Sequence, residues 1–244
     1  MIKDTQDAFG RMVVDHYYDQ SGVEIIERED GFISITAGPQ AYFLPFEEWP
    51  EHYKIALDYA QGRCLDVGCG AGRLGLHLQS LGFDVLGIDV SPLALQVCHL
   101  RGYAKTALLS ITQIGKKLGQ FDTVCMFGNN FGLFANPHRA KYLLKRLYGM
   151  TSAHARLLAE SNDIYQTSDS VHLAYHAWNR QRGRMSGQLR IRSRYRKIIG
   201  PWFDYLMVSK PEMESILDGT GWRVARYLDR PDRPAIYMAV IEKD

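Results

Sequence analysis

Two acids around a run of glycines offer the most specific chemistry in this 244-residue chain. In CLDVGCGAGRLGLHLQSLGFDVLGIDVS, an apolar run holding Asp66 leads into Gly68, Gly70 and Gly72. A helical pattern follows, and the next apolar run ends on Asp89. Glycines here let backbone approach a ligand and supply turns that side chains forbid. An acid at the end of the second strand can accept from both hydroxyls of a ribose. Charge-assisted bonds of that kind are worth roughly 1.5–3 kcal/mol each.

Two frames compete for the glycines. Gly68-Cys69-Gly70-Ala71-Gly72 reads GxGxG, while Gly70-Ala71-Gly72-Arg73-Leu74-Gly75 also satisfies GxGxxG, the dinucleotide fingerprint. Asp66 separates them. A dinucleotide puts its pyrophosphate at the N-terminus of the following helix, and a carboxylate beside that loop would repel it. The dinucleotide frame also leaves Asp66 inside a buried strand with nothing to offset its desolvation. In the GxGxG frame Asp66 is expected at the mouth of the strand, where it can hold an ammonium directly or through water. The loop asks for a nucleoside with a cationic end.

LDVGCGAGRLGLHL with IDVSPLAL resembles the class I S-adenosylmethionine-dependent methyltransferases, over about residues 60–160 plus the closing strands. The resemblance implies S-adenosyl-L-methionine as cofactor and a doubly wound, mostly parallel seven-stranded α/β sheet of the Rossmann-like methyltransferase type. It implies that Asp66 and the backbone of Gly68, Cys69, Gly70, Ala71 and Gly72 face the methionyl part, with Arg73 beside them. Asp89 would take the ribose, and Val90 would flank the adenine. Ser110-Ile111 fall where the family often has an acid on the adenine amine, so Ser110 is a departure.

A fourth strand, FDTVCMF, runs into Gly128-Asn129-Asn130-Phe131-Gly132. Parallel sheets bind ligands beyond the carboxyl ends of their strands, which puts Phe127 and Gly128 in the cofactor-facing set and Asn129 and Asn130 near the reacting centre. Two amides can orient a nucleophile's lone pair, or a carboxyl, without carrying charge; a plain turn-forming pair is the alternative reading. GNNF is similar to the Gly-Asn-Ser-Phe stretch of glycine and sarcosine N-methyltransferases, which maps their asparagine to Asn129. Where those enzymes carry a carboxylate-holding arginine, this chain has Ser161-Asn162-Asp163, so amino-acid specificity is not implied. HLAYHAWNR sets His172, Tyr175 and His176 on one helical face. One of them is a candidate general base; structural or surface histidines are the plainer reading. No metal is expected, because Leu173 stands where an HExxH helix needs glutamate and no third ligand is evident.

The elements that must position these groups follow from periodicity. Short apolar runs near 63–67, 84–88, 105–109, 121–127 and 155–160 alternate with helical patterns near 72–81, 92–101 and 138–149, as in a parallel sheet covered on both faces. Residues 1–61 read as an N-terminal cap: a helix over 5–19, a hairpin turning at Asp30-Gly31, and a helix over 51–60. Its aromatics Tyr17, Tyr18, Tyr42, Phe43, Phe46 and Trp49 are expected either as a lid over the cofactor or as core. Residues 62–244 form the main domain, interrupted over 171–208 by an antiparallel β insertion. A helix over 210–219 and strands over 222–228 and 235–241 close the chain.

That insertion holds the unusual charge. Residues 179–197 carry Arg180, Arg182, Arg184, Arg190, Arg192, Arg194, Arg196 and Lys197 with no acid, in a chain of net charge +2, so the rest is net acidic. Period-2 alternation puts the seven arginines on one face, as an anion trap, a nucleic-acid track or a solvated surface. The composition, 46% hydrophobic and 23% charged, excludes wholesale disorder. No apolar run approaches the roughly 20 residues of a membrane span, no secretory leader is evident, and the four cysteines stand singly. These features set the expectations of a cytoplasmic location, no membrane partner, and a monomer or homodimer. The expected partner is a small-molecule methyl acceptor with a nitrogen or oxygen nucleophile. The alternatives are an RNA or other nucleic-acid methyltransferase, and a cofactor-binding protein without turnover.

Overall fold

The computed structural model describes residues 2–20, 22–36 and 38–244. The expected fold is present: strands Cys64–Val67 (β3), Val85–Asp89 (β4), Thr106–Leu108 (β5), Phe121–Met126 (β6), Thr151–Asn162 (β7), Trp222–Asp229 (β11) and Ile236–Lys243 (β12) form one sheet. Their order is β11-β12-β7-β6-β3-β4-β5. β3, β4 and β5 run parallel, as do β6 and β7, while β12 is antiparallel to both β7 and β11. The interleaved helices are Arg73–Ser80 (α3), Pro92–Leu100 (α4), Pro137–Tyr148 (α5) and Lys210–Leu217 (α7). Their starts are written locally. Ser91 caps α4 and Asn136 caps α5, each followed by proline at the first helical position, and Ser209 with Glu212 forms a capping box on α7.

A second, antiparallel sheet joins two distant parts of the chain. The hairpin Ile25–Arg28 (β1) and Ile33–Ile35 (β2) turns at Asp30-Gly31, with Gly31 at φ +88°. Gln188–Tyr195 (β8) adds to β1, and Ile198–Ile199 (β9) and Phe203–Leu206 (β10) pair with β8. The insertion is not β throughout, because Ser170–Gln181 forms a helix (α6) capped by Asp169. This corrects the shared arginine face. Arg180 lies in α6, Arg182 caps its C-terminus, Arg184 follows in irregular chain before β8, and Arg196 sits in a left-handed turn at φ +50°. Only Arg190, Arg192 and Arg194 keep strand alternation, opposite the buried Ile191 and Tyr195. Those charges are engaged. Arg192 forks onto Glu27 at 2.8 and 2.9 Å and Arg194 joins it at 3.2 Å, while Arg196 pairs with the buried Asp15 at 3.0 Å.

The chain divides into two compact units. The first gathers Met1–Trp49, Gly62–Gln113 and Arg190–Phe203. Its N-terminal helix Ala8–Tyr17 (α1) packs Ala8, Met12 and Val13 with Ala71, Val97 and Tyr195. The second gathers Pro50–Gln61, Ile114–Leu189 and Asp204–Asp244, with helix Glu51–Leu57 (α2) and a core along β6, β7 and β12.

Candidate functional site

In the first unit, the turn after β3 carries the three glycines of the GxGxG frame. Gly68, Gly70 and Gly72 all take left-handed φ, at +71°, +55° and +83°. Gly75 lies inside α3, where a Cβ would come within 1.9 Å of the Tyr103 hydroxyl. It is a seat for Tyr103 rather than part of the loop. We expect Gly75→Ala to destabilise the fold by roughly 1–3 kcal/mol through overpacking, read as a lower urea midpoint; an unchanged midpoint would contradict this packing role.

The two acids sit deeper than the sequence suggests. Asp66, expected at the strand's mouth, lies one residue before the end of β3, paired with Gly87, and is only 3% exposed. One carboxylate oxygen, Oδ2, is buried without a hydrogen-bond partner. Burial first, and then the neighbouring Asp89, push its pKa up to about 7, against the pull of Arg73. A buried orphan acceptor next to a second acid is a place for a cation, so the residues fit the ammonium end of the expected nucleoside. Asp89 accepts from Gly70 N–H through Oδ2 and from Ser91 N–H through Oδ1, both at 2.9 Å. Lone-pair capacity remains on the carboxylate for a further donor. Burial raises its pKa, while those amides lower it.

The N-terminal segment closes over this loop. Asp7 caps α1 by accepting from Gly10 N–H at 2.8 Å, and the same carboxylate accepts from Ser91 Oγ at 2.6 Å. A hydrogen-bond chain therefore runs from α1 through Ser91 and Asp89 to Gly70. Phe9 and Tyr42 meet edge to face at 5.1 Å beside Gly70, whose added Cβ would lie 3.5 and 3.8 Å from them. The other expected lid aromatics divide. Phe43 lies under Arg101, Phe46 stacks on His77 at 4.1 Å, and Trp49 is buried; Tyr17 packs against the α1 core and Tyr18 is exposed. Arg73 holds the Ala41 carbonyl at 2.6 Å, and Ala71 O accepts from Arg101. Cys69 is buried, with its thiol pKa raised by the neighbouring Cys98. Val90 is exposed, Ile111 is buried, and Ser110 Oγ turns to Thr112 Oγ1 at 3.0 Å.

In the second unit, β6 delivers Phe127 to a turn with two consecutive left-handed residues, Gly128 (φ +68°) and Asn129 (φ +62°). Their N–H groups donate to Tyr53 Oη at 3.0 Å and to Glu160 Oε2 at 2.8 Å. Tyr53 also donates to Glu160 Oε2 at 2.5 Å, and Tyr205 donates to the Asn129 carbonyl at 2.5 Å. His52 Nε2 lies 3.5 Å from Glu160 Oε1. Phe127 meets the Tyr53 ring edge-on at 4.8 Å, and Asn130 begins a short 3-10 turn. Sequence reasoning placed Asn129 here but missed Glu160, Tyr53, His52 and Tyr205. The available signal was an acid, Glu160, ending the apolar run LLAE in β7.

The α6 trio shares a face as its spacing predicts. Tyr175 and His176 are buried, Tyr175 donating to the Gln188 carbonyl at 3.4 Å and His176 meeting Tyr165 edge-on at 6.2 Å, while His172 is half-buried. Among the described residues no group of three His, Cys, Asp or Glu side chains is placed to hold a metal, and no helix is long and apolar enough to cross a membrane.

Residues 64–152, which span the glycine turn, Asp89 and the β6 turn, match the family model described as methyltransferase domain. The chain therefore carries a methyltransferase domain. A putative methyltransferase of Bacillus subtilis, YqeM, is 31% identical to it over 143 residues, 57% of each chain. A glycine/sarcosine N-methyltransferase of Parasynechococcus marenigrum is 28% identical over 153 residues, 58% of this chain and 52% of its own. The chain thus spans little more than half the length of these curated relatives. A SAM-dependent methyltransferase from Bacteroides fragilis, solved with S-adenosyl-L-homocysteine, superposes with TM-score 0.83 over 99% of this chain and 96% of that one at 22% identity. That likeness is one of fold, and it covers the chain well beyond residues 64–152.

Proposed function

We propose that this chain transfers a methyl group from S-adenosylmethionine to a small-molecule nitrogen or oxygen nucleophile. The reading is carried by one arrangement: a turn of three left-handed glycines between a buried carboxylate with an orphan oxygen, Asp66, and a second carboxylate with spare lone pairs, Asp89. When bound, the cofactor supplies a methyl group activated by a sulfonium. Asp66 would hold the cofactor's ammonium, Asp89 its ribose hydroxyls, and Val90 with Ser110-Ile111 would flank its adenine. The protein's remaining task is alignment and exclusion of water, for which Phe9 and Tyr42 stand beside the glycine turn. Asn129 and Asn130 are the acceptor-facing candidates. Of the α6 trio, the half-buried His172 is the candidate base, since Tyr175 and His176 are already packed within the insertion.

The pairing of Arg192 and Arg194 with Glu27, and of Arg196 with Asp15, favours a small acceptor over nucleic acid, because a phosphate track needs those charges for itself. Calorimetric titration with S-adenosylmethionine, with NAD as the control, tests the cofactor. Micromolar binding of the former alone is expected; preferential NAD binding would overturn the reading. Incorporation of labelled methyl into added small acceptors then separates an enzyme from a binding protein.

A further inference from the structure

The polar cluster behind the β6 turn holds buried acceptor oxygens that lack donors. Asn129 Oδ1 and Asn162 Oδ1 are buried without a hydrogen-bond partner, and Glu160 on the same strand as Asn162 is only 2% exposed. Glu160 and Asn162, two apart on β7, share one face of the sheet. The carboxylate's hydrogen bonds come from neutral donors, Tyr53 and the Asn129 amide, and the nearby Arg230 forks onto Asp232. Buried polar groups left unpaired are costly. A ligand that brings N–H donors and gains positive charge relieves them, whereas an anionic ligand would meet the Glu160 carboxylate.

We infer that this cluster is the acceptor subsite and that it takes a primary or secondary amine; the inference rests on the methyltransferase reading above. The amine's lone pair forms the new N–C bond as the methyl's C–S bond breaks, and the electron pair of that bond returns to sulfur. Positive charge passes from sulfur to nitrogen, and the methylated ammonium then gives one proton to solvent. Glu160 stabilises the charge that nitrogen gains, and would oppose a phenolate or carboxylate nucleophile. Asn129 Oδ1 accepts the amine's N–H and so turns the lone pair. Tyr53 and Tyr205 are positioning residues that fix the Gly128-Asn129 turn, to which Glu160 is also bonded through the Asn129 amide. An amine without N–H has nothing to offer Asn129.

The test uses the full ¹⁵N-labelled chain with the Gly128 backbone amide as reporter. It is titrated with methylammonium, dimethylammonium, tetramethylammonium, acetate and phenol. The first two are expected to saturate at concentrations about tenfold lower than tetramethylammonium, with no saturable response to acetate or phenol. Asn129→Gly keeps the left-handed turn available and Glu160→Gln keeps its size. Each should remove the preference for N–H-bearing probes, while calorimetric affinity for S-adenosylmethionine, set by the glycine turn, holds within about twofold. An equal response to tetramethylammonium, a stronger response to acetate or phenol, no saturable response to either amine, or a preference surviving in Asn129→Gly would each overturn the assignment. Failure of the wild-type chain to bind S-adenosylmethionine would instead overturn the methyltransferase reading, and the amine titration would still report on the subsite.

Discussion

Replacing Asp89 with alanine is expected to weaken S-adenosylmethionine binding by at least about 100-fold. Two charge-assisted bonds to the ribose hydroxyls, at roughly 1.5–3 kcal/mol each, correspond to two to four orders of magnitude. The loss has a second source within the chain. Asp89 also holds the N–H groups of Gly70 and Ser91, so its removal slackens the turn that approaches the ligand. Asp89→Asn separates the two contributions. The amide keeps an acceptor oxygen for one partner but loses the charge, and should recover only part of the affinity. Calorimetry on protein shown to be folded by circular dichroism reads both variants, and unchanged affinity in Asp89→Ala would remove Asp89 from the ribose.

The second large effect is a pH dependence. With its pKa near 7 in the free protein, Asp66 is half protonated at neutrality, and only its ionised form can pair with an ammonium. Cofactor affinity should therefore rise with pH, with the dissociation constant at pH 5 about 100-fold weaker than at pH 8. Stability of the free protein runs the other way. A carboxyl whose pKa is raised from 3.8 to about 7 on folding contributes stability that is complete below pH 4 and is lost as the pH climbs through 7. The rise in melting temperature produced by the cofactor should consequently grow between pH 5 and 8. In Asp66→Asn both slopes should flatten. A dissociation constant that is flat across this window in the wild type would show that Asp66 carries no part of the ligand's charge.

The glycine-turn cluster and the β6-turn cluster were unequally legible in the sequence. The first was legible because its signals are local: a strand, three glycines and a helix within a dozen residues, then an acid closing the next strand. Even there the end of β3 was legible but the burial of Asp66 was not, because burial depends on what packs over the strand. The second cluster was hidden by distance along the chain. Tyr53 and Glu160 are 107 residues apart, and no periodicity joins them. Asp7 meets Ser91 across 84 residues and was likewise invisible. The arginine segment shows the opposite error. Alternation over Leu189–Tyr195 was real, but extending it back to Arg180 ignored the Asp169 cap that starts α6.

The pairing of β1 with β8 has a consequence for how the protein is made. Glu27 and its partner Arg192 are separated by 165 residues, so at typical synthesis rates the hairpin leaves the ribosome roughly 10–30 s before the strand that covers it. Throughout that interval one edge of β1 presents open amides and carbonyls, the kind of edge that recruits strands from other chains. Production of soluble protein should therefore depend less on the stability of the finished fold than on shielding the nascent hairpin. Chains terminated before residue 190 would keep that edge open permanently.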